Sequence, residues 1–349
     1  MTIILRRARV TYLKISLAPV LIGIACLLLS GADDNAACYS EFRIIPKGDG
    51  ENRDLALIDW RTTTGEYAGT VRVPFSGIGN IGPDLVFLNR ATPPNKFEWD
   101  TREWQWWKSF PFPLGSKRLR NISPAEGGAE YIPGGIRVWT RFALDGTETV
   151  QEWFFRDLNG SQRGVYDCLI TIRNISARPL EEYGQFFASY VSWNESRGHF
   201  YWSENGTLVN FADRGAGHLD YYVTARESRY AKLGHIPHCP RGGGVIKAFW
   251  RHPVSVSAAS PDDYRHILMV EEKPAVALAM GQGGAAQDYI LSPSEWTLEP
   301  GKSFSAHVRH VIVASKAQDL VRLLESEWSE FVRSHEKVRS DSRAHSPNR

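Results

Sequence analysis

The chain has 349 residues, of which 42% are hydrophobic, 12% aromatic and 23% charged; this composition supports a sizeable core and excludes a disordered or collagen-like chain. With 30 Gly, 19 Pro and 12 Trp but only 3 Met, it favours short strands and many turns over a helical bundle. The formal net charge is +2, and because the first 32 residues carry four Lys or Arg and no acid, the remainder has 37 basic against 39 acidic residues. A nucleic-acid-binding protein is therefore not indicated.

The N-terminal segment, residues 1–32, has the pattern of a secretory signal peptide. Its basic residues precede an apolar run over 15–29, and small residues follow at 30–32. The apolar run is shorter than the roughly 20 residues that span a bilayer. We predict export to the periplasm or beyond, with cleavage after Ala32. The alternatives are a retained membrane anchor or acylation at Cys38, and the membrane is expected as a partner only through this segment.

Residues 33–315 are predicted to form one large antiparallel β-sandwich, an all-β fold. β-rich runs separated by Gly, Pro or Asn recur along this part of the chain, and no ten-residue amphipathic helix interrupts them, which disfavours a parallel sheet. Two tight hairpins are predicted at Asp145-Gly146 and at Asn205-Gly206, because these dipeptides supply the positive φ angles that such turns need.

The cysteines of the exported chain would be Cys38, Cys168 and Cys239, which permit at most one internal disulfide. Alternation in the strand around Cys168 places it on the same face as Ile170 and Ile172. We therefore predict that Cys168 is a buried thiol. A bridge between Cys38 and Cys239 is left open.

The C-terminal part is predicted to be an amphipathic helix over 316–333, followed by a disordered polar tail over 334–349. Leu320, Leu324, Trp328 and Phe331 fall on one stripe at three- and four-residue steps, so the helix is expected to pack on the sandwich. The last 16 residues contain Val338 as their one branched apolar residue, which is too little apolar surface to repay the entropy of ordering.

The late strands carry a family resemblance. The run 288–291, the turn Leu298-Glu299-Pro300-Gly301-Lys302 and the strand from 305 to 309 resemble the end of galactose-mutarotase-like supersandwich domains. The resemblance implies a large sandwich of a carbohydrate-associated, extracytoplasmic kind. The paired histidines and the Asn-His motif of the sugar epimerases are not found, so their catalytic residues are not carried over.

An aromatic patch over 97–112 is the candidate ligand-binding surface. It contains Trp99, Arg102, Trp104, Trp106 and Trp107. Indole faces stack on the apolar faces of sugar rings, while nearby charged groups hydrogen-bond hydroxyls. The competing interpretation is core packing, because alternation sends Trp104 and Trp106 to one side of a strand and Trp107 to the other.

Three residues are candidates for proton transfer: His238, Tyr222 and Glu103. His238 lies in a loop with His235 and Cys239, and its ordinary pKa lies near neutrality. Tyr222 supplies a phenol and Glu103 a carboxylate within the aromatic patch. No second cluster accompanies the histidine loop, so neither a metal site nor a cofactor is predicted.

Three functions are compatible with these features. The first is a secreted or periplasmic carbohydrate-associated protein, acting as a glycan-binding or accessory module with a polysaccharide as its partner. The second is a glycan-processing enzyme of the polysaccharide lyase or sugar epimerase type. The third is a structural envelope protein without a ligand. Whether the tryptophans are exposed or buried distinguishes the first from the third.

Overall fold

A computed structural model describes residues 37–46, 54–62, 67–76, 84–88, 96–99, 103–109, 125–144, 146–156, 163–190, 199–211, 221–236, 244–258, 264–281, 286–294, 296–314 and 320–344. The predicted signal peptide, Arg102, His238 and Cys239 lie outside these residues. Export and cleavage therefore stay predictions.

Two sheets account for the strands of the described chain. The smaller one follows the order β1-β2-β3-β4-β5 and is antiparallel. Its strands are β1 (Ala37–Ile45), β2 (Leu55–Thr62), β3 (Tyr67–Pro74), β4 (Asp84–Leu88) and β5 (Lys96–Trp99).

The larger sheet contains fourteen strands. They are β6 (Glu103–Ser109), β7 (Glu126–Ile132), β8 (Gly135–Leu144), β9 (Thr147–Arg156), β10 (Arg163–Asn174), β11 (Tyr183–Tyr190), β12 (His199–Ser203), β13 (Leu208–Asn210), β14 (Tyr221–Thr224), β15 (Val245–Ser257), β16 (Tyr264–Val270), β17 (Ala275–Gly281), β18 (Ala286–Leu291) and β19 (Ser303–Ala314). Their order is β6-β11-β18-β17-β14-β15-β16-β19-β10-β9-β8-β7, with β12 and β13 joined beside β15.

The predicted hairpins are both present. β8 pairs with β9 across a turn in which Gly146 has φ +87°, and β12 pairs with β13 across a turn in which Gly206 has φ +78°. These left-handed conformations are accessible to glycine without a steric cost. The local sequence signal was therefore sufficient for these two pairings.

The larger sheet folds back on itself at β15, a strand of 13 residues. The first part of β15 pairs with β14 in parallel, and residues 254–256 pair with β16 in antiparallel fashion. Side chains of the two halves then meet face to face: Gln287 of β18 donates a hydrogen bond to Ser255 of β15 (Nε2 to Oγ, 3.0 Å), and Gln185 of β11 contacts Thr149 of β9 at 3.4 Å. The result is a sandwich, as predicted.

The main hydrophobic core lies between these layers. It joins Ile58 and Val71 of the smaller sheet to Ile136, Trp153 and Tyr289 of the larger one. Cys168 is also in this cluster, fully buried beside Ile170 and Ile172, so the face predicted for this thiol from alternation is confirmed.

Two helices accompany the strands of the described chain: α1 (Arg229–Leu233) and α2 (Leu320–Ala344). The apolar stripe predicted for the C-terminal helix is confirmed, because Leu320, Leu324, Trp328 and Phe331 pack on outward-facing residues of β10, β15, β16 and β19. The all-β sandwich with a C-terminal amphipathic helix is thus the observed fold class.

The disordered tail predicted from Ser334 is wrong over 334–344, because α2 continues to Ala344. The apolar stripe ends, but Val338 is fully buried against Ile132, Phe154 and Leu169. Polar contacts replace the rest of the stripe, among them Ser334 to Arg309 at 2.9 Å. The low number of apolar residues over 334–344 did not predict this part of the helix, because hydrogen bonds to the sheet hold it in place.

Candidate functional site

The tryptophan-rich strand β6 lies at one end of the order of the larger sheet. It pairs with β11 in a register that sets Trp104 opposite Ala188, Trp106 opposite Phe186 and Trp107 opposite Gln185. Positions directly opposite each other share a face of the sheet. Trp104 and Trp106 therefore occupy the face of Phe186, and Trp107 occupies the face of Gln185.

The two faces have different surroundings. On one, Gln185 is fully buried inside the sandwich and accepts a hydrogen bond from Tyr183 (Oη to Oε1, 2.8 Å). On the other, Phe186 belongs to a separate aromatic cluster with Tyr222, Tyr230 and Trp296. The alternation predicted for the tryptophans is confirmed by the register: the position of Trp107 is on the interior face, and those of Trp104 and Trp106 are on the opposite one.

Trp99 lies on the other sheet. It is the last residue of β5, paired with Leu85, and β5 stands at the end of the smaller sheet. The tryptophan-rich segment thus passes from the terminal strand of one sheet to the terminal strand of the other within the described order.

Helix α1 packs on the same face as Phe186. Ser228 caps its first turn by accepting a hydrogen bond from the Ala231 amide (3.1 Å), and Gly234 ends it with φ +72°. The Tyr230 ring lies 4.1 Å from the Trp296 ring, and the guanidinium of Arg229 lies 4.3 Å above Trp296. A buried aromatic cluster, with one cation stacked on Trp296, therefore lies beside the tryptophan strand.

A row of five paired positions crosses this face near the end of the strands. It runs Trp104 on β6, Ala188 on β11, Asp288 on β18, Ala279 on β17 and Tyr222 on β14. Asp288 is the third residue of its strand. The row brings an aromatic edge position, a carboxyl group and a phenol onto one face, with alanines between them.

Asp288 is buried, at 2% exposure, and its Oδ1 has no hydrogen-bond partner within the described chain. Burial raises the pKa of this carboxyl well above its ordinary value of 3.8, because the charged form loses its hydration without gaining a counter-ion. The group is therefore held in its uncharged form over a wider pH range than an exposed aspartate. No pattern in the sequence distinguishes this aspartate from the others.

The three candidates for proton transfer do not come together in the described chain. Tyr222 is fully buried in the aromatic cluster of Phe186. Glu103 pairs with Ser189, which places it on the opposite face from Tyr222. His238 lies outside the described residues, although Ile236, two positions earlier, is buried in the same cluster as Tyr222. Their catalytic roles stay predictions.

A second polar cluster lies in the interior between the two halves of the larger sheet. His266 Nδ1 contacts Gln287 Oε1 at 2.5 Å, and His266 Nε2 contacts His310 Nδ1 at 3.0 Å. Tyr166 stacks on His310 with 4.6 Å between the rings. Burial and the neighbouring His310 lower the pKa of His266 to about 3, so this ring is neutral at physiological pH.

A third cluster lies between β10, β19 and helix α2. Asp167 accepts hydrogen bonds from Arg309 Nε at 2.7 Å and from His307 Nε2 at 2.8 Å. Burial opposes ionisation of Asp167, but the charges of Arg309 and His307 prevail and hold its pKa far below the usual value. His307 Nδ1 also contacts His335 Nδ1 of the helix at 2.7 Å. These contacts fix the helix on the sheet.

Both histidine clusters were missed by the sequence analysis. Strand alternation does place His307 and Arg309 on one face of β19 and His310 on the other, which was a usable signal. The partners Asp167 and His266 come from other strands, and their pairing depends on a topology that the sequence did not show.

A metal-binding cluster and a membrane-spanning helix are both absent from the described residues. No cluster of three or more His, Cys, Asp or Glu side chains suited to a metal ion occurs there. In the same residues, neither helix combines the length and apolar character needed to cross a bilayer.

Comparison with known proteins gives distant structural similarities. No protein-family model and no curated protein matches the chain. One similar solved structure is the galactose 1-epimerase of Lactobacillus acidophilus NCFM, with 12% sequence identity over 81% of this chain and 100% of that chain and a TM-score of 0.37. Another is a protein of Synechocystis sp. PCC 6803, with 13% sequence identity over 79% of this chain and 96% of that chain and a TM-score of 0.37. A TPR-domain containing protein of Parabacteroides distasonis ATCC 8503 is also similar, with 10% sequence identity over 81% of this chain and 55% of that chain and a TM-score of 0.41.

The chain bears a weak structural resemblance to the epimerase fold. This agrees with the resemblance of the late strands to mutarotase-like domains.

Proposed function

We propose that this chain is a carbohydrate-associated protein that binds a glycan on the face of the larger sheet that carries Trp104 and Trp106. The supporting observation is the register of β6. This register places Trp104 and Trp106, which are two residues apart on the terminal strand, on the face of the sheet opposite to the sandwich interior. The aromatic cluster of Phe186 and Trp296 lies beside them on the same face.

Carbohydrate recognition suits such a surface. Indole rings present flat apolar faces to sugar rings, and the two tryptophan positions on this face of β6 give a platform for more than one sugar unit. Arg229, stacked on Trp296, adds a donor for hydroxyl groups near this face. With the predicted signal peptide, the proposal places the protein in the periplasm or outside the cell, where polysaccharides are available as partners.

The test is affinity electrophoresis of the purified full-length chain in gels that contain soluble glucan, mannan, galactan or xylan. We expect retardation by at least one of them. Trp104→Ala and Trp106→Ala should each weaken the retained interaction by about tenfold, which corresponds to roughly 1.4 kcal/mol.

Trp107→Ala is the matched control, because its position faces the interior. We expect it to lower the free energy of unfolding while the folded fraction still binds. Retardation by none of the four glycans would overturn the proposal, and so would loss of binding in Trp107→Ala with normal binding in the other two variants.

A further inference from the structure

We propose that residues 334–344 of helix α2, the C-terminal segment, form an acid-sensitive conformational switch. When both His307 and His335 carry a positive charge, this segment leaves the sheet while residues 320–331 stay bound. The inference goes beyond the glycan-binding proposal and does not depend on it. Two observations support it: the different ways in which the two parts of α2 are held, and the direct contact between the two rings.

The two parts of α2 are held by different forces. Residues 320–331 pack on the sheet through apolar side chains: Leu320, Leu324, Trp328 and Phe331. The C-terminal segment buries one apolar side chain, Val338, and its other contacts are polar. They include Ser334 with Arg309 at 2.9 Å, His335 with His307 at 2.7 Å, Arg339 with Glu271 at 2.6 Å, Ser342 with Glu152 at 2.5 Å, and the ion pair of Asp341 with Arg156. Because apolar packing has no protonation step, a change of pH acts first on the C-terminal segment.

The contact between His307 and His335 accommodates a single proton. The ionised Asp167 accepts a hydrogen bond from His307 Nε2 at 2.8 Å, and His307 Nδ1 lies 2.7 Å from His335 Nδ1. A hydrogen bond between two nitrogens needs one N–H group and one lone pair, so two neutral rings or one cation satisfy it. When both rings are cations, both Nδ1 atoms carry a hydrogen. The bond is then lost, and two like charges lie in contact.

The charged groups around the two rings balance one positive charge and not two. Asp167 lies on β10, Glu271 in the turn after β16 and Glu330 on α2 itself. Arg309 of β19 pairs with Asp167 and Glu330, and Arg339 of α2 pairs with Glu271. Three carboxylates and two guanidinium groups leave one net negative charge, which a single histidinium neutralises. A second cation meets no counter-ion among these groups, and one of the two rings is fully buried, so salt and water screen the repulsion poorly.

The direction of the pH effect follows from the number of protons bound. Burial and the neighbouring His307 lower the pKa of His335 to about 4, against an ordinary 6.5. In the released segment this ring is in water and regains its ordinary pKa. Between these pH values the released form binds about one proton more than the bound form, so acidification favours release by up to about tenfold per pH unit. The segment is therefore held most firmly above pH 6.5, and its binding weakens progressively toward pH 4.

The experiment is amide hydrogen exchange of the full-length chain, read by mass spectrometry at pH 7.5, 6.5, 5.5 and 4.5 and corrected for the intrinsic exchange rate at each pH. We expect protection over 334–344 to fall by about 100-fold between pH 6.5 and 4.5. At pH 4.5 it should lie well below the protection over 320–331, because the apolar part of the helix stays on the sheet.

His335→Asn assigns the effect to the pair of rings. Its amide lies near the position of Nδ1 but does not titrate, so the bound and released forms of this variant take up the same number of protons. We expect its protection over 334–344 to be nearly constant from pH 6.5 to 4.5. His252→Asn is the matched control: His252 stacks on Trp328 at 4.4 Å and has a carboxylate partner in Glu272 at 2.7 Å. Its removal should leave the pH dependence over 334–344 unchanged.

Three outcomes would overturn the proposal. One is protection over 334–344 that stays constant with pH in the wild type, whatever the variants do. Another is equal protection over 334–344 and 320–331 at every pH, because the helix would then leave the sheet as one unit. The last is a fall in His335→Asn as large as that in the wild type, which would assign the effect to another group. His335→Gln serves as a second variant in case asparagine does not hold the segment at pH 7.5.

Discussion

His266 and His310 share a hydrogen bond between their rings, with 3.0 Å from Nε2 to Nδ1, in the interior where the two halves of the larger sheet meet. Such a bond needs one nitrogen that donates and one that accepts. It is compatible with two neutral rings or with one cation, and burial disfavours the cation at His266. Because His266 also contacts Gln287 of β18 across the interior at 2.5 Å, the packing of the two halves is coupled to the protonation of His266.

We expect the free energy of unfolding to fall as the pH is lowered from about 6.5 toward 4. The folded-state pKa of His266 is about 3 and that of His335 about 4, against an ordinary 6.5. Between these values the unfolded chain binds two protons, at His266 and His335, that the folded chain does not, whereas Asp288, whose pKa is raised, binds one proton in the folded chain alone; the balance of acidification therefore favours unfolding. Each group contributes a slope of up to about 1.4 kcal/mol per pH unit. Urea denaturation at pH 7, 6, 5 and 4 measures it.

The contribution of His266 is isolated by His266→Asn, whose side chain keeps a donor for Gln287 but does not titrate. We expect this variant to be less stable at pH 7 and to lose stability more slowly on acidification. His235→Asn is the control, because an exposed ring loses little hydration on folding. Equal slopes in the wild type and in His266→Asn would show that the interior pair is not coupled to stability.

The sequence predicted those features of the fold that depend on neighbouring residues. The turns at Gly146 and Gly206 and the buried face of Cys168 follow from local conformational preference and from the two-residue period of a strand. The stripe of α2 follows in the same way from the period of a helix. These features need no knowledge of which strands pair.

Features that depend on long-range pairing were not predictable. The pairing of β14 with β17 brings Tyr222 into the row of Asp288, and β14 also pairs in parallel with β15; no local pattern indicates either contact. Asp288 was visible only as part of a late strand. The burial of its carboxyl, which raises its pKa, is a property of the folded structure. The continuation of α2 likewise depends on polar partners from distant strands.

Asp167→Asn is expected to destabilise the protein by about 3–5 kcal/mol. The substitution removes the negative charge that accepts from Arg309 at 2.7 Å and from His307 at 2.8 Å. Arg309 is 3% exposed, and Glu330 at 3.3 Å is one-third exposed and contacts only its Nη1, so the Nε and Nη2 groups lose the carboxylate that they contact in the interior. A buried charge that loses its partner retains its desolvation cost. Urea denaturation at pH 7 gives the change.

The control for this prediction is Glu204→Gln, which breaks the ion pair with Arg226 on the exposed surface. Water and salt screen such a pair, so we expect little change in stability. If Asp167→Asn were no more destabilising than Glu204→Gln, the contacts between β10, β19 and α2 would not be a source of stability.

Val338→Ala is expected to cost about 2 kcal/mol of stability. Val338 is fully buried against Ile132, Phe154 and Leu169, and the loss of two methyl groups removes about 0.8 kcal/mol each and leaves a small cavity. Lys337→Ala is the matched control on the exposed side of the same turn, where alanine and lysine have similar helix propensities. Urea denaturation should separate the two variants, and amide hydrogen exchange should show protection over 335–342 that Val338→Ala reduces. Identical stabilities of the two variants would mean that the last turns of α2 contribute nothing to the packing, as expected for the polar tail predicted from composition. Lower stability of Val338→Ala would show that a single valine, supported by hydrogen bonds to the sheet, is enough to hold these turns.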